Sequence, residues 1–270
     1  MQKLFLSALM VMAVATLVLC QGAYASAATR WVNDDASTYT PPGTSCQDAG
    51  YPTIQAAVSA ASPGDTVNVC PGTYQESVVI GIKDLTVVST GGAAVTTIAP
   101  TVSAYVIWVT ATGLTLKGFT IVPLGFDDLD LGINVAIEGD TDATIMRNVI
   151  LGGRIGINLG CASFGTTVVH NTVNDQTEGG INIDTCEAPP FPGSHDNSIH
   201  HNTACSVTAT ASIALGGSSN DNSIHHNVAT SISVFGTGNE VHHNTTKLSI
   251  VDNGTDNTLH HNTTDPGVCP

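Results

Sequence analysis

A six-residue motif recurs through the last third of the chain and limits the fold more than any other feature. It reads NSIHHN at 197–202 and 222–227, NEVHHN at 239–244 and NTLHHN at 257–262, with shorter forms at 144–148 (TIMRN) and 167–171 (TVVHN). The asparagines that close these units are Asn148, Asn171, Asn202, Asn227, Asn244 and Asn262. Their spacing of 23, 31, 25, 17 and 18 residues is typical of a solenoid whose coils carry loops of different lengths.

A second motif repeats in the same register. The sequence reads GINV at 132–135, GINL at 156–159 and GINI at 180–183, in two steps of 24 residues. Apolar residues alternate within these units, and this period of two indicates strands with one buried face. The closing asparagines are expected to form the tight turns between strands, because asparagine tolerates the left-handed backbone.

The N-terminus has the features of an export signal. Met1-Gln2-Lys3 precedes an apolar segment from Leu4 to Cys20, and Ala23-Tyr24-Ala25 is a small-residue cleavage site. We therefore divide the chain into a secretory signal (1–25), an N-terminal segment with the first coil (26–80) and the remaining coils (81–270). The expectation is a secreted, extracellular protein with no membrane span once the signal is cleaved.

Six cysteines remain after the predicted cleavage, and an even number in an exported chain favours disulfides. Cys46 and Cys70 bracket the N-terminal segment. Cys161 and Cys186 follow equivalent strands, so neighbouring coils would bring them together. Cys205 and Cys269 are the remaining pair, and they pair only if the C-terminal tail folds back along the stack.

The charge balance excludes one class of partner. The chain has 22 acidic residues against 7 lysines and arginines, a formal net charge of −15. Such a surface repels nucleic acid, whose binding depends on lysine and arginine at phosphates. It also repels an anionic polysaccharide unless a cation such as Ca²⁺ bridges the two. Solubility is the plainer interpretation of the same charge.

Residues 53–80 predict how the stack begins. Thr53 can cap a short helix whose apolar side includes Ile54, Ala57 and Val58, and Pro63-Gly64 ends it. The exposed end of a solenoid needs a cover, and this helix is the candidate.

The sequence TIQAAV…SPGDTV…PGTYQE, followed by units with asparagine at the turn, resembles the pectin-lyase-like superfamily. The resemblance implies an all-β fold, a single-stranded right-handed parallel β-helix with an N-terminal capping helix. It also implies an extracellular polysaccharide or cell-surface glycan as partner. The catalytic signatures of pectin methylesterases, polygalacturonases and pectate lyases are not matched, so no reaction is transferred.

The GIN units predict a polar surface. With the isoleucines buried, the asparagines between them point outward in one column. The candidates for binding a sugar chain are Asn134, Glu138, Asn158, Asn182 and Glu178. The candidates for catalysis, in which paired carboxylates act as acid and base, are Asp127, Asp128, Asp184 and Arg154. The alternative interpretation is a solvated sheet face without a ligand.

Two metal sites are conceivable. Asp127, Asp130 and Asp140 belong to the densest acidic cluster and could hold Ca²⁺. His200, His225, His242 and His260 occupy one column, beside a second column of histidines, and imidazoles at that spacing can bind Zn²⁺ or Cu²⁺. Stacked rings that only pack beside the turn are the alternative.

Two classes of function remain open. The first is a carbohydrate-active protein, either a binder or a hydrolase, lyase or epimerase. The second is a non-enzymatic surface, adhesion or matrix protein that uses the stack as a rigid scaffold.

Overall fold

The structure is a computed structural model that describes residues 26–103, 105–125, 127, 130–135, 139–160, 163–184, 193–206 and 211–269. Within these ranges the chain forms a right-handed parallel β-helix of three parallel sheets. Between residues 66 and 252 each coil contributes one strand to each sheet in turn, as the closing asparagines predicted.

Counted over the described residues, the first sheet has ten strands and the second has nine. The first contains β1 (Thr29–Val32), β2 (Thr66–Val69), β5 (Thr86–Ser89), β8 (Thr115–Lys117), β12 (Thr144–Met146), β16 (Thr167–Val169), β19 (Ser198–His200), β22 (Ser223–His225), β25 (Glu240–His242) and β28 (Thr258–His260). The second contains β3 (Gly72–Tyr74), β6 (Thr96–Ile98), β9 (Thr120–Ile121), β13 (Val149–Leu151), β17 (Thr172–Asn174), β20 (Thr203–Cys205), β23 (Val228–Ala229), β26 (Thr245–Thr246) and β29 (Thr263–Thr264).

In the same part of the chain the third sheet has eight strands, and a pair of two-residue strands lies outside the three sheets. The third sheet contains β4 (Val78–Ile80), β7 (Ile107–Val109), β10 (Leu131–Val135), β14 (Ile155–Leu159), β18 (Gly179–Ile183), β21 (Ala211–Leu215), β24 (Ile232–Val234) and β27 (Ile250–Asp252). The extra pair is β11 (Gly139–Asp140) with β15 (Ser163–Phe164).

The core consists of vertical apolar columns. Because side chains alternate along a strand, every second residue of each coil points inward, and parallel pairing stacks it on its equivalent in the next coil. One such column is fully buried and contains Ile107, Ile133, Ile157, Ile181, Ile213 and Ile232. The core is less well covered in the last coil. There the inward-pointing residue of the first sheet, Leu259, is 37% exposed.

The six closing asparagines lie in one line at the turn between the first and second sheets. From Asn148 to Asn262, each side-chain Nδ2 donates to the Oδ1 of the next asparagine at 3.0–3.2 Å. The expectation that these asparagines adopt the left-handed backbone was wrong. The preceding residue adopts it instead, for example His201 and His226, both with φ of 55°.

The reason lies in the hydrogen bonds. Asn227 Oδ1 accepts from both the backbone N and Nδ2 of Asn202, at 2.9 and 3.1 Å, while its own Nδ2 donates to Ile199 O at 2.8 Å. This inward, axial orientation keeps the side chain between coils and leaves the change of direction to the histidine before it.

A second asparagine column was not predicted. Asn197, Asn222, Asn239 and Asn257 are the first residues of the repeated motif, and they too donate from Nδ2 to the next Oδ1, at 2.9–3.1 Å. Their left-handed predecessors are Asp196, Asp221, Gly238 and Asp256. The first three motifs therefore each contribute two buried amides that hydrogen-bond to the neighbouring coils. The two amides of the last motif, Asn257 and Asn262, are half-buried.

The N-terminal cap is present. Helix α1 (Ile54–Ser59) begins at Thr53, whose side chain accepts a hydrogen bond from the amide of Ala56 at 3.1 Å. The Glu76 carboxylate accepts from the first two amides of the helix, at 2.7 and 2.9 Å. Ile54, Ala57 and Val58 are buried, and the helix packs on β1, β2 and β4.

Two of the three predicted disulfides are confirmed. Cys46 and Cys70 are bonded with Cα atoms 5.6 Å apart. Cys205 and Cys269 are also bonded, with Cα atoms 5.1 Å apart, so the tail does fold back. The predicted Cys161–Cys186 pair and the signal at 1–25 lie outside the described residues. Within those residues, no helix has the length and apolar character that a membrane crossing requires.

Candidate functional site

The predicted amide column lies on the outer face of the third sheet. Asn134, Asn158 and Asn182 are in register on β10, β14 and β18. The column continues toward the N-terminus to Trp108, which pairs with Asn134 and is 40% exposed. The Trp108 ring packs edge-on against Tyr105, with centroids 5.8 Å apart. The structure thus adds an aromatic residue that the sequence pattern did not place in this column.

The solvated-face interpretation is wrong for two of the three amides. Asn134 and Asn158 are each only 7% exposed, and Asn158 Nδ2 donates to Asn134 Oδ1 at 3.0 Å. Asn182 is half-buried, and its Oδ1 is buried without a hydrogen-bond partner among the described residues. This column has unsatisfied polar capacity at Asn182 and an apolar ring at Trp108.

Among the described residues, the charged candidates form no metal-binding cluster. Asp127 is exposed, whereas Asp130 is buried and accepts a hydrogen bond from the Asp127 amide at 2.9 Å. Arg154 Nη1 donates to Glu178 Oε2 at 2.7 Å, so the guanidinium charge is already balanced. Asp184 is exposed.

The remaining acidic candidates lie outside what the structure describes. Asp128 and Glu138 are not among the described residues, and of Asp140 only the backbone is described, in β11. The catalytic roles of Asp127, Asp128, Asp184 and Arg154 therefore stay predictions. The Ca²⁺ site at Asp127, Asp130 and Asp140 also stays a prediction.

A second polar surface lies at the turn between the first and second sheets. We call it the histidine strip, and it consists of an inner and an outer column. The inner column contains His200, His225, His242 and His260, the last residues of β19, β22, β25 and β28. The outer column contains His201, His226, His243 and His261, with His170 tilted on its N-terminal end. Rings stack along both columns with centroids 4.8–5.1 Å apart.

Each coil holds one pair of histidines whose rings are nearly perpendicular, at 83–88°. The two Nδ1 atoms of each pair are 2.8–3.0 Å apart. The predicted stacking of the columns is thus confirmed, and the pairing across the columns is a finding of the structure. The inner rings are half-buried and the outer rings are exposed.

Crowding lowers the pKa of four imidazoles in the strip. Desolvation, followed by the neighbouring imidazoles His200 and His242, lowers the pKa of His225 to about 4. The same causes lower the pKa of His200, His201 and His243 below the ordinary histidine value. These four imidazoles are therefore neutral at pH 7, and a neutral imidazole has one nitrogen lone pair available for a hydrogen bond or a metal.

At the C-terminal end of the strip, three imidazoles converge. His243, His260 and His261 each offer one ring nitrogen, and these nitrogens lie within 4.8 Å of one another. His260 Nε2 is also 3.2 Å from Glu240 Oε1. The sequence pattern indicated His260 but not Glu240, although Glu240 stands out in the motif, which reads NEVHHN in place of NSIHHN.

Comparison with solved structures identifies the class of fold. The chain is similar to the catalytic unit of a thermostable GH87 alpha-1,3-glucanase from Streptomyces thermodiastaticus strain HF3-3, with 15% identity and a TM-score of 0.51. The match covers 76% of this chain and 37% of the glucanase unit, so this chain spans little more than a third of that protein's length. It is also similar to the pectate lyase Pel9A, with 13% identity and a TM-score of 0.51, over 90% of this chain and 79% of that one.

At these identities the likeness shows the fold alone. The parallel β-helix that the resemblance implied is confirmed. No protein-family model matches the sequence, and no curated protein matches it.

Proposed function

We propose that this protein is secreted and binds a neutral polysaccharide along the outer face of the third sheet. The observation that supports this most directly is the register of Trp108, Asn134, Asn158 and Asn182. Binding sites for small polar ligands usually combine aromatic surface with a few placed polar groups. Here a partly exposed indole is available to a sugar ring, and amides follow at every coil.

The spacing suits a repeating ligand. Successive coils are about 4.8 Å apart, so the column from Trp108 to Asn182 is about 14 Å long. The half-buried amide of Asn182 lies at one end of the column, and the exposed ring of Trp108 lies at the other. A chain with hydroxyls at regular intervals can contact both ends at once, which a single sugar cannot do.

The charge favours a neutral polymer over an anionic one. The chain carries a formal net charge of −15, and the arginine nearest the column, Arg154, is already paired with Glu178. The two proteins of similar fold are, by name, a glucanase and a pectate lyase, which agrees with a polysaccharide as ligand.

Secretion rests on two features. The first 25 residues have the composition of an export signal, and the two disulfides are typical of an oxidising compartment.

The test is retention on immobilised polysaccharides. Neutral glucans and uronic-acid polymers are compared, each with and without Ca²⁺, together with the variant Trp108→Ala. We expect retention on a neutral polymer and roughly tenfold weaker binding for the variant, since loss of the ring removes about 1.4 kcal/mol of contact. Val251→Ala is the matched control, because Val251 is an exposed residue at the far end of the same sheet.

The same samples are assayed for reducing ends and unsaturated products. Turnover that disappears in Asp127→Ala or Asp184→Ala would assign processing, as well as binding, to this face. If the protein shows neither retention nor turnover on any polymer, the proposal is overturned and the non-enzymatic surface or matrix role remains.

A further inference from the structure

The histidine strip has no part in the proposed polysaccharide face. It follows the turn between the first and second sheets, whereas Trp108 and Asn182 lie on the third sheet. Nine of the ten histidines of the chain belong to it. Stacked imidazoles alone do not require a ligand, since planar rings pack well at this spacing. The C-terminal end of the strip differs from the rest in ways that indicate a ligand.

The difference starts with one carboxylate in a column of hydroxyls. The positions in register with Glu240 on the first sheet are all threonine or serine. They are Thr29, Thr66, Thr86, Thr115, Thr144, Thr167, Ser198, Ser223 and Thr258. Glu240 therefore stands where the repeat otherwise has a hydroxyl, and its side chain reaches the next coil and contacts His260 Nε2 at 3.2 Å.

That contact determines which nitrogen of His260 can bind a ligand. An ionised carboxylate only accepts hydrogen bonds, so Nε2 of a neutral His260 carries the proton and donates it to Glu240. Nδ1 then has the lone pair, and it faces His261 Nδ1 at 2.8 Å. Histidines that bind metals usually donate the other ring N–H to a carboxylate, a backbone carbonyl or a water, and Glu240 supplies such a carboxylate here.

We propose that His243, His260 and His261 form a binding site for a divalent transition-metal ion of the Zn²⁺, Cu²⁺ and Ni²⁺ class, with Glu240 orienting His260. Imidazole nitrogen is a preferred ligand of these ions. Three protein nitrogens leave a fourth position for water, as in open tetrahedral sites. The acidic surface attracts cations to the protein.

The distances are compatible with this assignment. With metal–nitrogen bonds of about 2.0–2.1 Å, neighbouring ligand nitrogens in a tetrahedral site lie about 3.3–3.4 Å apart. The Nδ1 atoms of His260 and His261 are 2.8 Å apart, so they need to separate by only about 0.5 Å to bind a metal. The third nitrogen, from His243, is within 4.8 Å of both. The side chains of His243 and His261 are exposed, so rotation about their side-chain bonds can close the gap without moving the backbone.

The other coils repeat the histidine pair but not the rest of the site. His200–His201 and His225–His226 have the same Nδ1 separation, 2.9 and 3.0 Å. In those coils the residue in register with Glu240 is Ser198 or Ser223. Within the part of the chain that the structure describes, three ligand atoms converge only at His243, His260 and His261.

The test uses untagged full-length protein stripped of metal with EDTA. Zn²⁺ is titrated by calorimetry, and Cu²⁺ binding is followed by electron paramagnetic resonance, in which coordinated nitrogens split the signal. We expect one Zn²⁺ to bind more tightly than any other, and its affinity to fall at least tenfold in His261→Asn. Asparagine tolerates the left-handed backbone at this position, so the turn is preserved.

Two further variants separate the site from general histidine content. Glu240→Gln keeps every imidazole, and loss of such an orienting carboxylate typically weakens metal binding 10–100-fold. His201→Asn is the matched control, because it removes an outer-column histidine at the other end of the strip, and its tight Zn²⁺ affinity should equal that of the unmodified protein. Equal affinities in all three variants, or several equivalent Zn²⁺ ions per chain that are insensitive to Glu240→Gln, would overturn the proposal. Unchanged circular dichroism and thermal midpoint verify that each variant is folded.

Discussion

The column of closing asparagines and the outer column of the histidine strip occupy adjacent positions of the same turn, but the asparagines are mostly buried and the histidines are exposed. Asn202 and Asn227 are each 1% exposed, and their amides bond to the coils above and below. His201 and His226, one residue earlier, are exposed and stack without filling their hydrogen-bonding capacity. The parallel register stacks both kinds of side chain. Burial determines whether their polar groups are hydrogen-bonded within the fold or remain available to a ligand.

The comparison separates two uses of one repeat. A buried amide that is fully hydrogen-bonded stabilises the stack, because the alternative is an unpaired polar group in the core. An exposed imidazole contributes little to stability in the same position, since water replaces any contact it loses. Substitutions in the two columns should therefore have very different effects on the free energy of unfolding.

The largest effect is expected for Asn227→Ala. The substitution leaves the backbone N of Asn202 and the carbonyl O of Ile199 without the partners they have at 2.9 and 2.8 Å. A buried unsatisfied group costs about 1–3 kcal/mol, so we expect a loss of roughly 3–4 kcal/mol, measured by denaturant unfolding monitored by circular dichroism.

The matched control for that prediction is Asn262→Ala. Asn262 is the last member of the column and is half-exposed, so water can reach the groups it leaves. We expect a loss of about 1 kcal/mol. Equal losses at Asn227 and Asn262 would contradict the argument that burial gives the column its stabilising effect.

A smaller effect is expected from pH. The pKa of His225 falls to about 4 in the folded protein, while in the unfolded chain it has its ordinary value near 6.5. Below pH 6.5 the unfolded chain binds more protons at His225 than the folded one. The contribution of His225 to the free energy of unfolding is therefore fully present above pH 6.5 and decreases as the pH falls toward 4. The inner rings are half-buried, so solvent screening limits the decrease.

Unfolding in EDTA at pH 7 and pH 5 measures this decrease. His200, His201, His226 and His242 are the titratable groups that act on His225. We expect His225→Asn to lose less stability than the unmodified protein between these two values. If stability instead increases on acidification, the folded protein stabilises the charged form of the inner histidines, and the prediction is wrong.

The sequence predicted the coil, because alternation and the spacing of the motifs depend only on the register. Ile133, Ile157 and Ile181 lie in one buried column as expected, and this inference follows from which residues are vertical neighbours. The Cys205–Cys269 bond was predicted only as the pair left over, on the condition that the tail folds back, and the structure contains it. The second asparagine column could have been found in the same way, since Asn197 and Asn222 begin the repeated motif.

The sequence did not predict what covers an outward face. Alternation places Asn134 and Asn158 outside the core, but it gives no information about burial on that side, and both are only 7% exposed. The left-handed residue was assigned to asparagine from its tolerance for that backbone. The hydrogen bonds between coils override this preference, and the histidine before it adopts φ near 55°. The contact of Glu240 with His260 depends on a side chain that spans two coils.

The smallest effect, and the sharpest test of the comparison, is expected for His226→Asn. The variant loses one exposed ring contact on each side and one hydrogen bond to His225, but asparagine adopts the left-handed backbone more readily than histidine. These changes oppose one another, so we expect stability within about 0.5 kcal/mol of the unmodified protein. His226→Val should lose about 1–2 kcal/mol, because a β-branched residue is strained at this φ. If His226→Asn instead loses as much stability as Asn227→Ala, the imidazoles are structural members of the stack. Their ring nitrogens would then not be available to a metal.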